Sequence, residues 1–354
     1  AEPLSGPMRA RAAFKAGRTL KENFRLTQLD AVVRMLEEHE CDFVDALGRD
    51  LHKPRFETVV SELILVKNEA LHAVNNLRKW MQPQSVERNL STTLDECLVI
   101  SEPLGVVFIM GTFCSPVQMC LVPLVGFPHT LYILCHTDVK ARLVQALKCC
   151  LMQFYGCNPR ESRSFGRMVN LDLFSRTSDI LWRSGKVAVG GQVIEGEKYI
   201  APTILTEVSE SDPIMQQEVF GPVLPILTVN SVDEAIAFIN KHEKPLCVYA
   251  YSSNSKVQGK WGTTSSGSFC SNDCVLQSLM VALPFGGVGA SGMGSCHGRY
   301  SFDTFSHRKS CLQRSTRFEC VTYLRYPPYE DRNLSLMTWA STLSQKSQGW
   351  CQIL

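Results

Sequence analysis

The sequence predicts an α/β protein. Three observations carry that prediction: helical spacing of apolar residues through the first third, strand-like runs from Lys186 onward, and a capped helix set between two of those runs. In order along the chain, Thr27 is expected to cap a helix with Leu29, Val32, Val33 and Leu36 on one face. After Pro54, the stretch Glu57 to Trp80 repeats the spacing through Val60, Leu63, Ile64, Leu71, Val74 and Leu77. Cys97–Ile100 and Gly105–Met110 are short β-branched runs, read as two strands joined across Pro103-Leu104-Gly105. Asp138 to Phe154 is an amphipathic helix with Val139, Leu143, Leu147 and Leu151 in line and Gly156 as its stop. Lys186–Val189, Tyr199–Leu205, Val223–Val229 and Leu246–Ser252 read as strands. A helix opens between the last two at Ser231-Val232-Asp233-Glu234, in a capping-box arrangement. Beyond Pro327 the tail is Ser- and Gln-rich and is expected to be mobile.

At 354 residues the chain is long enough for two or three domains with a sizeable core. A hydrophobic content of 45%, a charged content of 20% and a net charge of +2 give no long-range pull toward nucleic acid or an anionic membrane. No apolar run reaches the roughly 18 residues of a spanning helix, and the start at Ala1 shows no signal-peptide h-region. Because it begins without Met, the chain is expected to be a fragment or a trimmed product. Fifteen cysteines without a CxxC repeat, and eight scattered histidines, match neither a disulfide framework nor a zinc site. The expectation is reduced, mostly buried thiols in a cytoplasmic protein, with no metal.

Two loops carry most of the information. One is Gln217-Glu218-Val219-Phe220-Gly221-Pro222, and the other runs from Pro284 to Gly294 with five glycines in eleven residues. Glycines at that density either turn the backbone through positive φ or lie against another surface. The run fits neither a P-loop nor a dinucleotide G-x-G-x-x-G unit.

With their surroundings these segments resemble the class 3 aldehyde dehydrogenase family, especially its B-type, membrane-attached members. Among the matching stretches are Asp50-Leu51-His52-Lys53, Ser61-Glu62, Glu102-Pro103-Leu104-Gly105-Val106, Tyr199-Ile200-Ala201-Pro202-Thr203 and Ser301-Phe302-Asp303-Thr304-Phe305-Ser306-His307. The likeness covers the chain, in order, from about Met8 to Pro328. It implies NAD(P)-dependent oxidation of aldehydes, lipid-derived ones by family habit, to carboxylic acids. It also implies Glu218 and Phe220 as vestigial cofactor contacts, toward the nicotinamide ribose and ring.

The departures matter more. Where the family carries Pro-Trp-Asn-Tyr-Pro, with Asn donating to the oxyanion, this chain reads Thr112-Phe113-Cys114-Ser115-Pro116. A thiol is a weak donor, and losing one oxyanion donor costs about 10²–10³ in turnover. Leu121 to Gly126 resembles the helix after that loop, yet Thr130 to Cys135 already resembles the strand beyond the family's nucleophile. The seam falls at Gly126-Phe127-Pro128-His129, and roughly 150 residues, about one domain, are missing. With them go the nucleotide loop, the general base and the nucleophilic cysteine. Aldehyde oxidation needs a thiolate, an oxyanion donor, a held nicotinamide and a water-activating carboxylate. The resemblance therefore implies an aldehyde-dehydrogenase-like α/β fold with the Rossmann-type domain largely missing, no catalytic residue, and no bound NAD or NADP. The expected domains are 1–126 (helical segment and the start of the truncated nucleotide domain), 127–294 (catalytic remnant) and 295–354 (oligomerisation segment and tail).

Cys114 and Cys270 are the long-shot substitutes for the nucleophile, although Cys270 reads as packing. Two glycines within Lys256–Thr263, a helix in the family, and Ser295-Cys296 in place of a basic-aromatic pair point to relaxed constraint. The chain ends Cys351-Gln352-Ile353-Leu354, a C-a-a-X box whose terminal Leu favours geranylgeranylation of Cys351. A single lipid anchors weakly and reversibly, on the cytosolic face of a membrane. Pairing with itself or with intact family members is the expected partnership. Two readings stand beside the pseudoenzyme: an active enzyme with an unrecognised nucleophile, and a non-folding product of a pseudogene or mis-spliced gene.

Overall fold

The computed structural model describes residues 6–88, 92–93, 95–109, 111, 115–122, 132–254, 260–274, 276–314 and 323–342. The chain divides into two compact units, Ala1–Asn76 with Val106–Thr304 and Leu77–Gly105 with Phe305–Leu354. Cys114, Cys351 and the seam at Gly126–His129 lie outside the described residues.

In the first unit, helices α1 (Gly6–Lys15), α2 (Glu22–Glu38), α3 (Glu40–Leu51) and α4 (Arg55–Thr58) lead through a π-helical turn, Val59–Leu63, into α5 (Ile64–Trp80), which runs on into the second unit. The predicted Thr27 cap is corrected: α2 begins at Glu22, and Thr27 sits inside it with Oγ1 donating to the Asn23 carbonyl at 2.9 Å. The predicted face over Glu57–Trp80 is corrected as well. Ile64 and Leu71 are exposed, while Leu63, Leu65, Val66, Ala70 and Leu77 are buried. A π-turn inserts an extra residue into the helical repeat, so the apolar stripe shifts phase where periodicity alone assumes it continues. Leu36, Leu47, Leu63 and Val66 then form one core with Val32, Met35 and Phe43.

In the second unit, β1 (Gln84–Ser85) pairs antiparallel with β2 (Glu96–Pro103). Of the predicted strand Gly105–Met110, the described residues 105–109 form no strand, and from Val106 onward they belong to the first unit. A β-prone run becomes a strand only where another strand offers its hydrogen bonds.

The first unit continues with α6 (Pro116–Leu121), β3 (Ile133–His136) and α7 (Thr137–Tyr155), which stops at Gly156 (φ 76) as expected. After α8 (Leu171–Trp182) come β4 (Lys186–Val189), β5 (Val193–Ile194), β6 (Tyr199–Ile200), β7 (Thr203–Thr206), α9 (Pro213–Gln216), β8 (Val223–Val229), α10 (Val232–Lys241) and β9 (Cys247–Ala250). β10 (Ser268–Ser271), α11 (Leu276–Leu279) and α12 (Gly298–Thr304) complete the unit. The run Tyr199–Leu205, read as one strand, is two: β6 pairs with β5, and β7 joins a different sheet. Pro202, which cannot donate to a ladder, lies at the break.

The main sheet runs β3-β8-β7-β4, with β3 and β7 parallel to β8 and β4 antiparallel at the edge. Alternation along the strands divides its core. Ile204 and Ile226 meet Leu143, Leu147 and Leu151 of α7, while Leu205, Val223 and Leu227 meet Phe174, Ile180 and Leu181 of α8. Ser231 caps α10 by accepting from the Glu234 amide at 3.1 Å, and the Glu234 carboxylate reaches back to the Asn230 amide at 2.7 Å.

β11 (Ser306–Gln313) returns to the second unit and pairs antiparallel along all of β2. Arg314 grips the buried Asp95 carboxylate from two nitrogens, at 2.9 and 2.8 Å. Helix α13 (Asp331–Ser341) forms within the tail, where Leu334, Met337 and Ala340 are good helix formers. The expectation of mostly buried thiols is corrected too. All twelve described cysteines are free, but only Cys135 and Cys296 are buried, the others being half-buried or exposed. No helix among the described residues is long and apolar enough to cross a membrane.

Candidate functional site

Ser115 precedes α6, and a buried carboxylate holds the first turn of that helix. Glu62, fully buried in the π-turn, takes Lys53 Nζ on Oε1 at 2.5 Å and the Val117 amide on Oε2 at 2.8 Å. The carboxylate thus satisfies a free N–H in the first turn of α6 and neutralises a nearly buried lysine. Both oxygens are engaged in these internal contacts, which makes Glu62 a positioning residue for α6. Beside it, Leu47, Arg49, Asp50, Leu51, Pro116, Val169 and Lys198 line a cavity of about 370 Å³.

Glu218 and Phe220 lie in the short connection between α9 and β8. The Glu218 carbonyl accepts from Arg176 Nη2 at 3.3 Å, and Gly221 packs so closely on α8 that a Cβ there would lie 2.7 Å from Thr177 Cγ2. The glycine-rich loop meets both physical expectations. Gly289, Gly292 and Gly294 take positive φ. Gly286 and Gly287 instead lie against backbone, where a Cβ would come within 2.1 Å of the Gly294 carbonyl oxygen and 2.0 Å of the Ser291 one. The buried Ser291 hydroxyl binds both the Val288 amide and the Val288 carbonyl. The loop is closed on itself rather than open to a phosphate.

Behind that loop is a cluster that sequence reasoning noted only as a departure at Cys296. Cys296 and His297 are buried, and the Cys296 thiol donates to the Phe285 carbonyl at 3.2 Å. Glu69 Oε2 accepts from the Gly298 amide at 2.8 Å, and its Oε1 lies 3.1 Å from His297 Nδ1, close but poorly aligned for a hydrogen bond. Burial raises the Glu69 carboxyl and lowers the His297 imidazole. Burial, helped by Glu69, pushes the Cys296 thiol up to about 12. Thiol, imidazole and carboxyl together suggest a nucleophilic constellation. The environment opposes it, because burial favours the uncharged thiol where a nucleophile needs a thiolate.

Cys270 lies on β10, half-buried, opposite Tyr249 of β9, on a different element from Glu218 and Phe220. Among the described residues no group of three or more His, Cys, Asp or Glu could hold a metal ion.

The sequence profile of the aldehyde dehydrogenase family matches residues 130–311. Aldehyde dehydrogenase family 3 member B1 of Homo sapiens is 35% identical over 454 aligned residues, covering 95% of this chain and 97% of the relative. The mouse family 3 member B2 is 36% identical, covering 93% of each. Among solved structures, the substrate-bound AldH of Staphylococcus aureus superposes with a TM-score of 0.87 at 27% identity, covering 93% of this chain and 97% of that one. The chain therefore belongs to the aldehyde dehydrogenase family, in the family 3 group with its B-type members.

Proposed function

We propose that this chain is a non-catalytic member of its family, a retained scaffold without the machinery for aldehyde oxidation. The observation that carries the reading is one of length. The human relative aligns over 454 positions, although this chain has only 354 residues. That excess supports an internal gap, which the resemblance puts at Gly126–His129, where the family's nucleophile, base and nucleotide loop would have stood. The described thiols support it further, since the one set beside an imidazole and a carboxyl, Cys296, is held protonated.

The residues present do not fit a nicotinamide dinucleotide. Glu218 and Phe220 sit on a connection held to α8 by the Arg176–Glu218 carbonyl bond and the close packing of Gly221, and the glycine-rich loop has its close approaches filled by its own backbone. The cavity beside α6 is lined by neither residue. No step is derived through NAD or NADP. The role left is association: pairing with itself or with an intact family member, and weak membrane attachment through geranylgeranyl on Cys351. The division at 126 and 294 belongs to the same reading.

The test uses the purified full-length chain with an intact family 3 enzyme as control. Expected are a cooperative unfolding transition, no saturable quenching of tryptophan fluorescence by NAD or NADP, and no NAD(P)H formed from a medium-chain aldehyde. Saturable dinucleotide binding with thiol-dependent NAD(P)H formation overturns the proposal. Loss of cooperative unfolding favours the non-folding product instead.

A further inference from the structure

The net charge of +2 hides a local imbalance. From Gly6 to Lys21 the chain carries Arg9, Arg11, Lys15, Arg18 and Lys21 and no Asp or Glu, a local charge of +5. The rest of the chain therefore sums to −3, so any pull on anions is local to this segment. No residue of α1 is buried. At helical spacings of three and four, Met8, Arg11, Ala12 and Lys15 fall on one face, with Arg9 at its edge. All five are exposed, while Ala13 and Phe14 on the other side are half-buried, so the face turned to solvent is the basic one. The turn after α1 extends that surface. Gly17 takes a positive φ of 69, Arg25 Nε donates to the Thr19 carbonyl at 2.6 Å, and the Arg18 guanidinium stands 5.6 Å from the Phe24 ring centroid. Leu20 and Lys21 stay exposed on the turn so fixed. Among the described residues, none of these five cations is held in an ion pair. Between them Met8 and Leu20 are 57% and 55% exposed.

We propose that Gly6–Lys21 is an interaction surface for anionic phospholipid, docking with its arginines and lysines among the headgroups and Met8 and Leu20 at the acyl boundary. Unpaired cations interleaved with bare apolar side chains are complementary to a surface that sets anions above an apolar layer. A dissolved polyanion such as nucleic acid satisfies the charges but offers Met8 and Leu20 no apolar phase. In the reading proposed above, geranylgeranyl on Cys351 anchors weakly by itself, and this helix is the second signal beside it. The unprenylated chain tests the helix alone, so its failure to bind leaves the reading of Cys351 untouched.

The experiment sediments the unprenylated full-length chain with vesicles of phosphatidylcholine, with or without about one third phosphatidylserine. Binding is expected only with phosphatidylserine present, and is expected to fall steeply as salt is added. Each Lys or Arg near an anionic bilayer strengthens binding roughly fivefold, so Arg9→Gln/Arg11→Gln/Lys15→Gln is expected to bind about 100-fold more weakly. The same charge removed from exposed cations elsewhere, as Arg142→Gln/Lys148→Gln/Arg163→Gln, is expected to change binding by less than about twofold. Met8→Ser is expected to lose about fivefold on vesicles and nothing on heparin, a polyanion without an apolar layer. Equal binding to both kinds of vesicle overturns the proposal, as does an equal loss in the two triple variants or an unchanged Met8→Ser. The comparison of vesicles with the unaltered chain decides the matter even if a variant fails to fold.

Discussion

Glu69 and His297 are pushed in opposite directions by the same burial, the acid up and the base down. A buried site disfavours whichever form is charged, so burial favours the protonated acid and the neutral imidazole. Burial, helped by Glu69, raises the neighbouring Cys296 thiol as well. The consequence for stability follows from proton counting. Above the ordinary carboxyl value of 4.5 and up to its raised value, folded Glu69 holds a proton that the unfolded chain has lost. Stability from this group is therefore full below 4.5 and falls as pH rises through the raised value. The His297 contribution runs the other way and is lost as pH drops below 6.5. Glu69→Gln keeps an acceptor for the Gly298 amide but cannot ionise. Urea unfolding of both proteins across pH 4 to 8 is expected to show the variant gaining on the wild type as pH rises through that window. A pH-independent difference between them would mean that Glu69 ionises in the fold as it does in water. None of this was legible in the sequence. Cys296 stood out as a departure, but its burial depends on a bridge to Phe285 and on a glutamate more than two hundred residues earlier.

At the scale of elements, local pattern succeeded where one rule acts alone and failed where a neighbour decides. Gly156 ends α7 and Ser231 starts α10 because capping is a property of a few adjacent residues. The phase of α5 was misread because a π-turn that leaves no mark in composition shifts the stripe. The glycine-rich loop lies between these cases. Its density showed that backbone must turn or touch, but not which glycine does which. The structure separates them, and that separation is testable. Gly287→Ala would place a methyl 2.0 Å from the Ser291 carbonyl, which belongs to backbone and cannot swing aside. A cost above about 2 kcal/mol is expected, as for other strained or overpacked sites. Gly196→Ala meets nothing within 4 Å and has no positive φ, so it is expected to be neutral or to stabilise by about 0.4–1 kcal/mol through the unfolded chain. Equal unfolding midpoints for the two variants would show that the loop is looser than its close contacts imply.

Over the whole molecule, the exposed run Val106–Ile109 bears on the proposed association. The sequence marks this run as a strand from its β-branched residues, and the structure leaves it outside any strand, with Phe108 87% exposed and Val106, Val107 and Ile109 exposed as well. Local pattern supplies one strand's preference but never its partner. An uncharged, unpaired β-prone run on a protein of net charge +2 invites self-association, since little overall repulsion opposes it. Phe108→Lys puts a charge on the segment while removing few contacts. Its unfolding midpoint is therefore expected to stay within about 0.5 kcal/mol of the wild type, while light scattering and dye binding to exposed apolar surface both fall. A loss of several kcal/mol would mean that Phe108 is covered in the folded protein, either by a second copy or by residues outside those described. The association role proposed for this chain would then have to be sought at this segment.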